Sequence, residues 1–201
     1  MLAFLNCEHI NKLLDKLDLI NHSFNKRIDL DKHIDLDKVK KAIFYAKKYH
    51  SNQKRDTGEP YYMHPLEVAR MVADYSFKTD TIITAILHDV IEDTKLTKEK
   101  IAMEFNDNIA EQVLALTRNI GGKKTSSMKM IQTLVNQDKV ELLLIKLLDR
   151  LDNIKTVFIK PDKRRQEIIL ETQQEFIPLA EYLKLPEIAI KLNKYCERYA
   201  T

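Results

Sequence analysis

Apolar residues return every three or four positions in seven stretches: Val39 to Tyr49, Leu66 to Tyr75, Thr81 to Ile91, Ile109 to Leu116, Val140 to Val157, Ile168 to Leu183 and Ile188 to Tyr199. That period draws one apolar stripe along a helix, and it predicts the core helices of a bundle. The breaks fall at the DTGEP run before His64, at a polar turn around Lys95 to Thr97, at Gly121-Gly122 with its two lysines, and at Pro161-Asp162. Residues 1 to 37 read as a helix and a polar connector, DLDKHIDLDK, and residues 38 to 201 as one compact domain.

Composition narrows this to an all-α fold. Three glycines and five prolines are too few for the many turns of a strand-rich domain, while Lys, Glu, Leu, Ile and Ala favour helices. With 201 residues and 44% hydrophobic content, the chain can bury one sizeable core. The net charge of +3, from 33 basic and 30 acidic residues mixed along the sequence, argues against a nucleic-acid partner. Cys7 and Cys196 stand near opposite ends, outside any thiolate metal spacing. Charged residues every few positions in the first twenty leave no signal peptide or membrane span there, so no membrane partner and a cytoplasmic setting are expected.

Polar residues that interrupt the apolar stripes carry the candidate chemistry. In LHDVIEDT, His88 and Asp89 stand side by side near the end of a predicted helix, and Glu92 stands four residues from the first and three from the second. One helical turn therefore brings the Glu92 carboxylate over the same patch, with Asp93 on the adjoining face. His64 precedes Pro65, which suits the first turn of a new helix and sets the imidazole at its mouth. Asp149 interrupts the apolar run from Val140 to Val157, where a carboxylate needs a metal, a hydrogen bond or an ion pair with Lys146 or Arg150. Two imidazoles and two carboxylates suit a borderline divalent ion such as manganese, iron or zinc. Such an ion acidifies water, a nearby carboxylate guides the proton, and hydrolysis of a phosphate ester or anhydride follows as the reaction class.

These strings also occur together in a known order. AIFYAKKYHSNQKRDTGEPYYMHPLEVA, ILHDVIEDTKLTKEKI, FNDNIAEQVLALT, IKLLDRLDNIKT and ETQQEFIPLAEYLKL resemble the HD-type hydrolase domain of the RelA/SpoT alarmone enzymes and the small stand-alone alarmone hydrolases, over roughly residues 38 to 185. The resemblance implies an HD-domain helical bundle with metal ligands at His64, His88, Asp89 and Asp149, manganese as the usual ion, and Glu92 and Asp93 as the catalytic carboxylates. It implies cleavage of the 3′-pyrophosphate of guanosine tetraphosphate or pentaphosphate to pyrophosphate and GDP or GTP. Arg55, with Lys54, would then lie beside the base or ribose, and Asn153 and Thr156, along the helix face of Asp149, would contact the nucleoside.

Two acidic residues depart from the family pattern. Asp56 follows Arg55 where a lysine is usual, unless Lys54-Arg55 is the equivalent pair shifted by one, and Asp152 replaces a histidine, so Asp152 is expected to point away or to pair with Lys155 or a nearby basic residue. They motivate one alternative, hydrolysis of another phosphorylated nucleotide; an idle nucleotide-binding regulatory module of the same fold is a second, against which the complete ligand and acid sets stand. The segment from Arg118 to Lys129 reads as a flexible basic loop, either a solvated connector or a flap bringing Lys123, Lys124 and Lys129 over the pyrophosphate. His9, His22, His33 and His50 read as ordinary surface or core residues. Ending at Thr201, the sequence leaves no room for a synthetase domain, which implies a stand-alone hydrolase or a fragment.

Overall fold

The computed structural model describes residues 7 to 25 and 33 to 200. Residues 1 to 6 and part of the predicted polar connector, 26 to 32, lie outside the described residues. The fold is all-α, and β-structure among the described residues is confined to one two-stranded hairpin and an isolated bridge between Lys54 and Pro60. Contacts divide the chain into two compact units: the described residues up to Arg55 with Glu59–Lys124, and Asp56–Gly58 with the residues from Thr125 onward. No helix among the described residues is long and apolar enough to cross a membrane.

In the first unit, α1 (Glu8–Asn25) packs on α2 (Leu36–Tyr49) and α3 (Met63–Val72). Its Ile10, Leu13 and Leu17 repeat at helical spacing and are fully buried. The Asp35 side chain caps α2 by accepting from the amides of Asp37 and Lys38. The stripe of α2 then runs through Val39, Ala42, Ile43 and Ala46, and one further step reaches His50, whose ring is fully buried. The unit is organised around α4 (Thr79–Leu87), which is buried from Thr81 to Leu87 and touches α2, α3 and α7 (Asp107–Leu116). A one-turn helix α5 (Val90–Asp93) follows it, and α6 (Lys98–Glu104) pairs with α7.

The predicted basic loop is more ordered than its composition suggests. Asn119–Ile120 (β1) pairs antiparallel with Lys123–Lys124 (β2) across Gly121 and Gly122. Both glycines have positive φ, 58° and 82°, which is what a two-residue turn matching the strand twist requires. In the second unit Ser126 then caps α8 (Ser127–Asn136), so Lys129 is helical. Its buried stripe, Ser127, Met130 and Leu134, is too weakly apolar to be visible as a periodicity.

The second unit centres on α9 (Val140–Ile154), buried at nearly every position, against which α8, α11 (Ile177–Tyr182) and α12 (Pro186–Tyr199) pack. The helix predicted to reach Val157 stops at Ile154, and a 3-10 turn covers Val157–Ile159. The predicted helix from Ile168 to Leu183 is α10 (Asp162–Glu171) joined to α11 by a π-helical turn, Thr172–Phe176. Arg150 explains that distortion: its guanidinium lies 4.3 Å from the Phe176 ring centre and pairs with Glu171, the two residues that bracket the wide turn.

Two buried polar residues make the fold testable. Asn21 clamps the chain ahead of α2, donating to the Ile34 carbonyl at 2.9 Å and accepting from the Ile34 amide at 2.8 Å. Asn21→Ala is expected to lower the unfolding free energy by about 1–3 kcal/mol in a urea titration, because both Ile34 groups lose their partner while buried. Burial pushes the His50 imidazole below its ordinary value of 6.5, so the folded chain takes up less proton than the unfolded chain. His50 therefore contributes stability above that value and loses it as pH falls. Stability is therefore expected to fall as pH drops below 6.5 in a urea titration, and this part of the fall is absent in His50→Phe.

Candidate metal centre

The start of α3 and the end of α4 meet, because the two helices pack together with a short connection after Val72. His64, in the first turn of α3, and His88, at the carboxyl end of α4, are thereby brought edge to face with ring centres 5.5 Å apart. Both are buried, with 3% and 1% of their surface exposed, and a nitrogen of each ring lies within 4.8 Å of the other. Pro65 fits the first turn of α3 because the amide it lacks has no helical acceptor there.

The helix expected from Thr81 to Ile91 is broken at His88 and Asp89. His88 Nδ1 lies 2.7 Å from the carbonyl of Ala85, the group that a continued helix would offer to the Asp89 amide. A carbonyl only accepts, so Nδ1 carries the proton and Nε2 presents a lone pair. That lone pair faces the Asp89 carboxylate: Asp89 Oδ2 is 3.2 Å from His88 Nε2 and 3.8 Å from His64 Nε2. Two buried imidazoles, one with its tautomer fixed by a backbone carbonyl, beside one carboxylate oxygen form a donor set that suits a divalent cation.

Both acidic residues of the following turn sit at this edge, on different anchors. Asp93 reaches Asp89 through a shared neighbour, since Tyr61 Oη lies 2.8 Å from Asp89 Oδ2 and 3.0 Å from Asp93 Oδ2. Withdrawal from water, followed by the charge of Asp89, pushes the Asp93 carboxyl up to about 6. Glu92 instead accepts from the backbone amide of Arg118, at 2.8 Å, just ahead of the glycine hairpin. Helical spacing alone suggested neither anchor.

Tyr61 and its support were missed in the sequence. The ring of Tyr61 stacks on His50, with centres 4.8 Å apart. Gln53 donates through Nε2 to the Asp93 carbonyl at 2.6 Å, which turns its Oε1 toward His50 Nδ1, also at 2.6 Å. His50 thus holds its proton on Nδ1, and its buried Nε2 has no hydrogen-bond partner among the described residues. Two signals were present: the α2 stripe continues to His50, and Tyr61 belongs to the GEPY string.

Lys54 and Arg55 lie on the loop that ends at Tyr61. The Arg55 amide donates to the Glu59 carbonyl and the Tyr61 amide to the Gln53 carbonyl, both at 2.9 Å, and Lys54 is exposed. The other predicted residues belong to the second unit. Asp149 is buried on α9, where Lys146 donates to its Oδ2 at 2.9 Å and Asn153 to its Oδ1 at 2.6 Å. The Lys146 ion pair is thus formed, while Arg150 turns to Glu171. Thr156 lies in the turn beyond the end of α9, so it does not extend the helix face of Asp149 as expected, and it donates to the Asn153 carbonyl. Asp152 pairs with Lys155 at 3.1 Å, and Asp56 pairs with Lys160.

Several known proteins share this pattern of residues. A protein of Aquifex aeolicus named guanosine-3′,5′-bis(diphosphate) 3′-pyrophosphohydrolase is 37% identical over 169 residues, which are 81% of this chain and 24% of that protein. One of Mycoplasma genitalium, named as a probable enzyme of that kind, is 33% identical over 79% of this chain and 24% of its own length. A GTP pyrophosphokinase of Myxococcus xanthus is 34% identical over 82% and 23%. The chain spans about a quarter of the length of these curated relatives. A solved structure described as a metazoan ortholog of SpoT that hydrolyzes ppGpp shares the fold, with a TM-score of 0.63 at 20% identity over 79% of this chain and 93% of that one. The sequence profile of the HD domain matches residues 42–185, well over half of the chain, and with the paired imidazoles at the meeting of α3 and α4 this places the chain in the HD domain family.

Proposed function

We propose that the protein hydrolyses the 3′-pyrophosphate of guanosine tetraphosphate and pentaphosphate, using one divalent cation, manganese, held by His64, His88, Asp89 and Asp149. The observation that carries this reading is the buried imidazole pair with the Asp89 carboxylate oxygen 3.2 Å and 3.8 Å from its two Nε2 atoms. The relatives named for this pyrophosphohydrolase activity support the choice of substrate. Asp149 joins the set as the first carboxylate of the DRLDN string, buried on α9, where Lys146 and Asn153 orient its two oxygens.

Held by these residues, a divalent cation would supply positive charge for the phosphate oxygens and acidify water. The residues do the rest. Asp93, with a carboxyl pushed up to about 6, is matched to accept a proton from the attacking water near neutral pH. Glu92, held by the Arg118 amide, orients that water from a second side. Arg55 and Lys54 flank the base or ribose, and Asn153 and Thr156 contact the nucleoside. Lys160 and Lys155 offset the charges of Asp56 and Asp152, which lessens the repulsion of a polyanion that those two residues would otherwise exert.

The test is release of pyrophosphate and GDP from guanosine tetraphosphate by the purified chain. Manganese is expected to stimulate turnover and a chelator to abolish it. Glu92→Gln with Asp93→Asn is expected to cost at least about 100-fold in kcat. A folded, manganese-loaded chain without turnover on this substrate sinks the proposal.

A further inference from the structure

We propose that Tyr61 is a positioning residue that couples the metal-holding carboxylate to the water-handling one. The inference rests on reading His64, His88 and Asp89 as the metal centre. A phenol carries one proton, yet the Tyr61 hydroxyl sits 2.8 Å from Asp89 Oδ2 and 3.0 Å from Asp93 Oδ2. It cannot donate fully to both, so it serves the more negative of the two. A cation held by Asp89 would draw charge from it and leave the hydroxyl to donate its hydrogen bond to Asp93, with the proton staying on the phenol, which would turn occupancy of the centre into alignment of the second carboxylate.

The surroundings hold Tyr61 in that place. Its ring stacks on a His50 that is fully buried, and its backbone amide is tied to the Gln53 carbonyl at 2.9 Å. The Gln53 side chain reaches the Asp93 carbonyl, so the support of the tyrosine and the backbone of its acceptor share one residue. The ring also meets His64 edge to face, with centres 6.0 Å apart. A tyrosine fixed by contacts on its face, its edge and its main chain has little freedom except rotation of the hydroxyl proton. Groups behind a metal ligand that fix its orientation commonly affect metal affinity or activity by about 10- to 100-fold.

The experiment compares the full chain with Tyr61→Phe, which keeps the ring and its stack on His50. Manganese affinity is read from the electron paramagnetic resonance signal of the free ion. Turnover is read as pyrophosphate release, and stability as Tm. The expected result is an unchanged Tm, manganese affinity weakened about tenfold, and kcat reduced about 10- to 100-fold at a KM within about twofold of the parent. In the Asp93→Asn background, Tyr61→Phe is expected to add little further loss of kcat, whereas an independent structural defect multiplies the two losses. An unstable Tyr61→Phe, full multiplication of the losses, or parental affinity and kcat in the single variant overturns the proposal. Absence of turnover by the parent chain counts against the proposed activity alone, since manganese affinity still decides the role of Tyr61.

Discussion

The buried contact between the first turn of α3 and the last turn of α4 governs the site. Two apolar helices can pack at many offsets, but here the offset leaves two imidazoles facing each other with almost no access to water. Polar rings in such a place need partners. His88 gives its Nδ1 proton to the Ala85 carbonyl and in doing so ends the helix, which turns Asp89 back toward both rings. The break in α4, the tautomer and the carboxylate position are therefore one event. α4 tolerates the interruption because it is held along its length by α2, α3 and α7.

Around this pair, negative charge is graded rather than uniform. Asp89 lies against the imidazoles, Asp93 is pushed toward neutrality by its surroundings, and Glu92 is turned aside to a backbone amide. Three neighbouring carboxylates with the same environment would repel one another and share a single function. Different anchors separate them into one suited to hold a cation, one suited to take a proton and one suited to orient.

What the sequence discloses depends on how local each interaction is. The helices with strong stripes are legible, and so is the His88, Asp89, Glu92, Asp93 cluster, because its members are one turn apart. The pairing of Asp152 with Lys155 is legible for the same reason. The break at His88 is not, since Leu87, Val90 and Ile91 continue the apolar rhythm across it. Tyr61 was hidden by distance along the chain from Asp89, and the pairing of Asp56 with Lys160 likewise. The hairpin read as a loop because its two-residue strands offer no alternation to detect. The helices α6 and α8 bury too few strongly apolar side chains to show a stripe.

The hold on Glu92 has a different kind of consequence. Its donor is a main-chain N–H at Arg118, so the arginine side chain can be exchanged freely without touching it. Only proline removes that donor. Control of this carboxylate therefore lies in the path of the backbone into the glycine turn, and a change in loop length there can re-aim Glu92 where nearly every point substitution at position 118 leaves it in place.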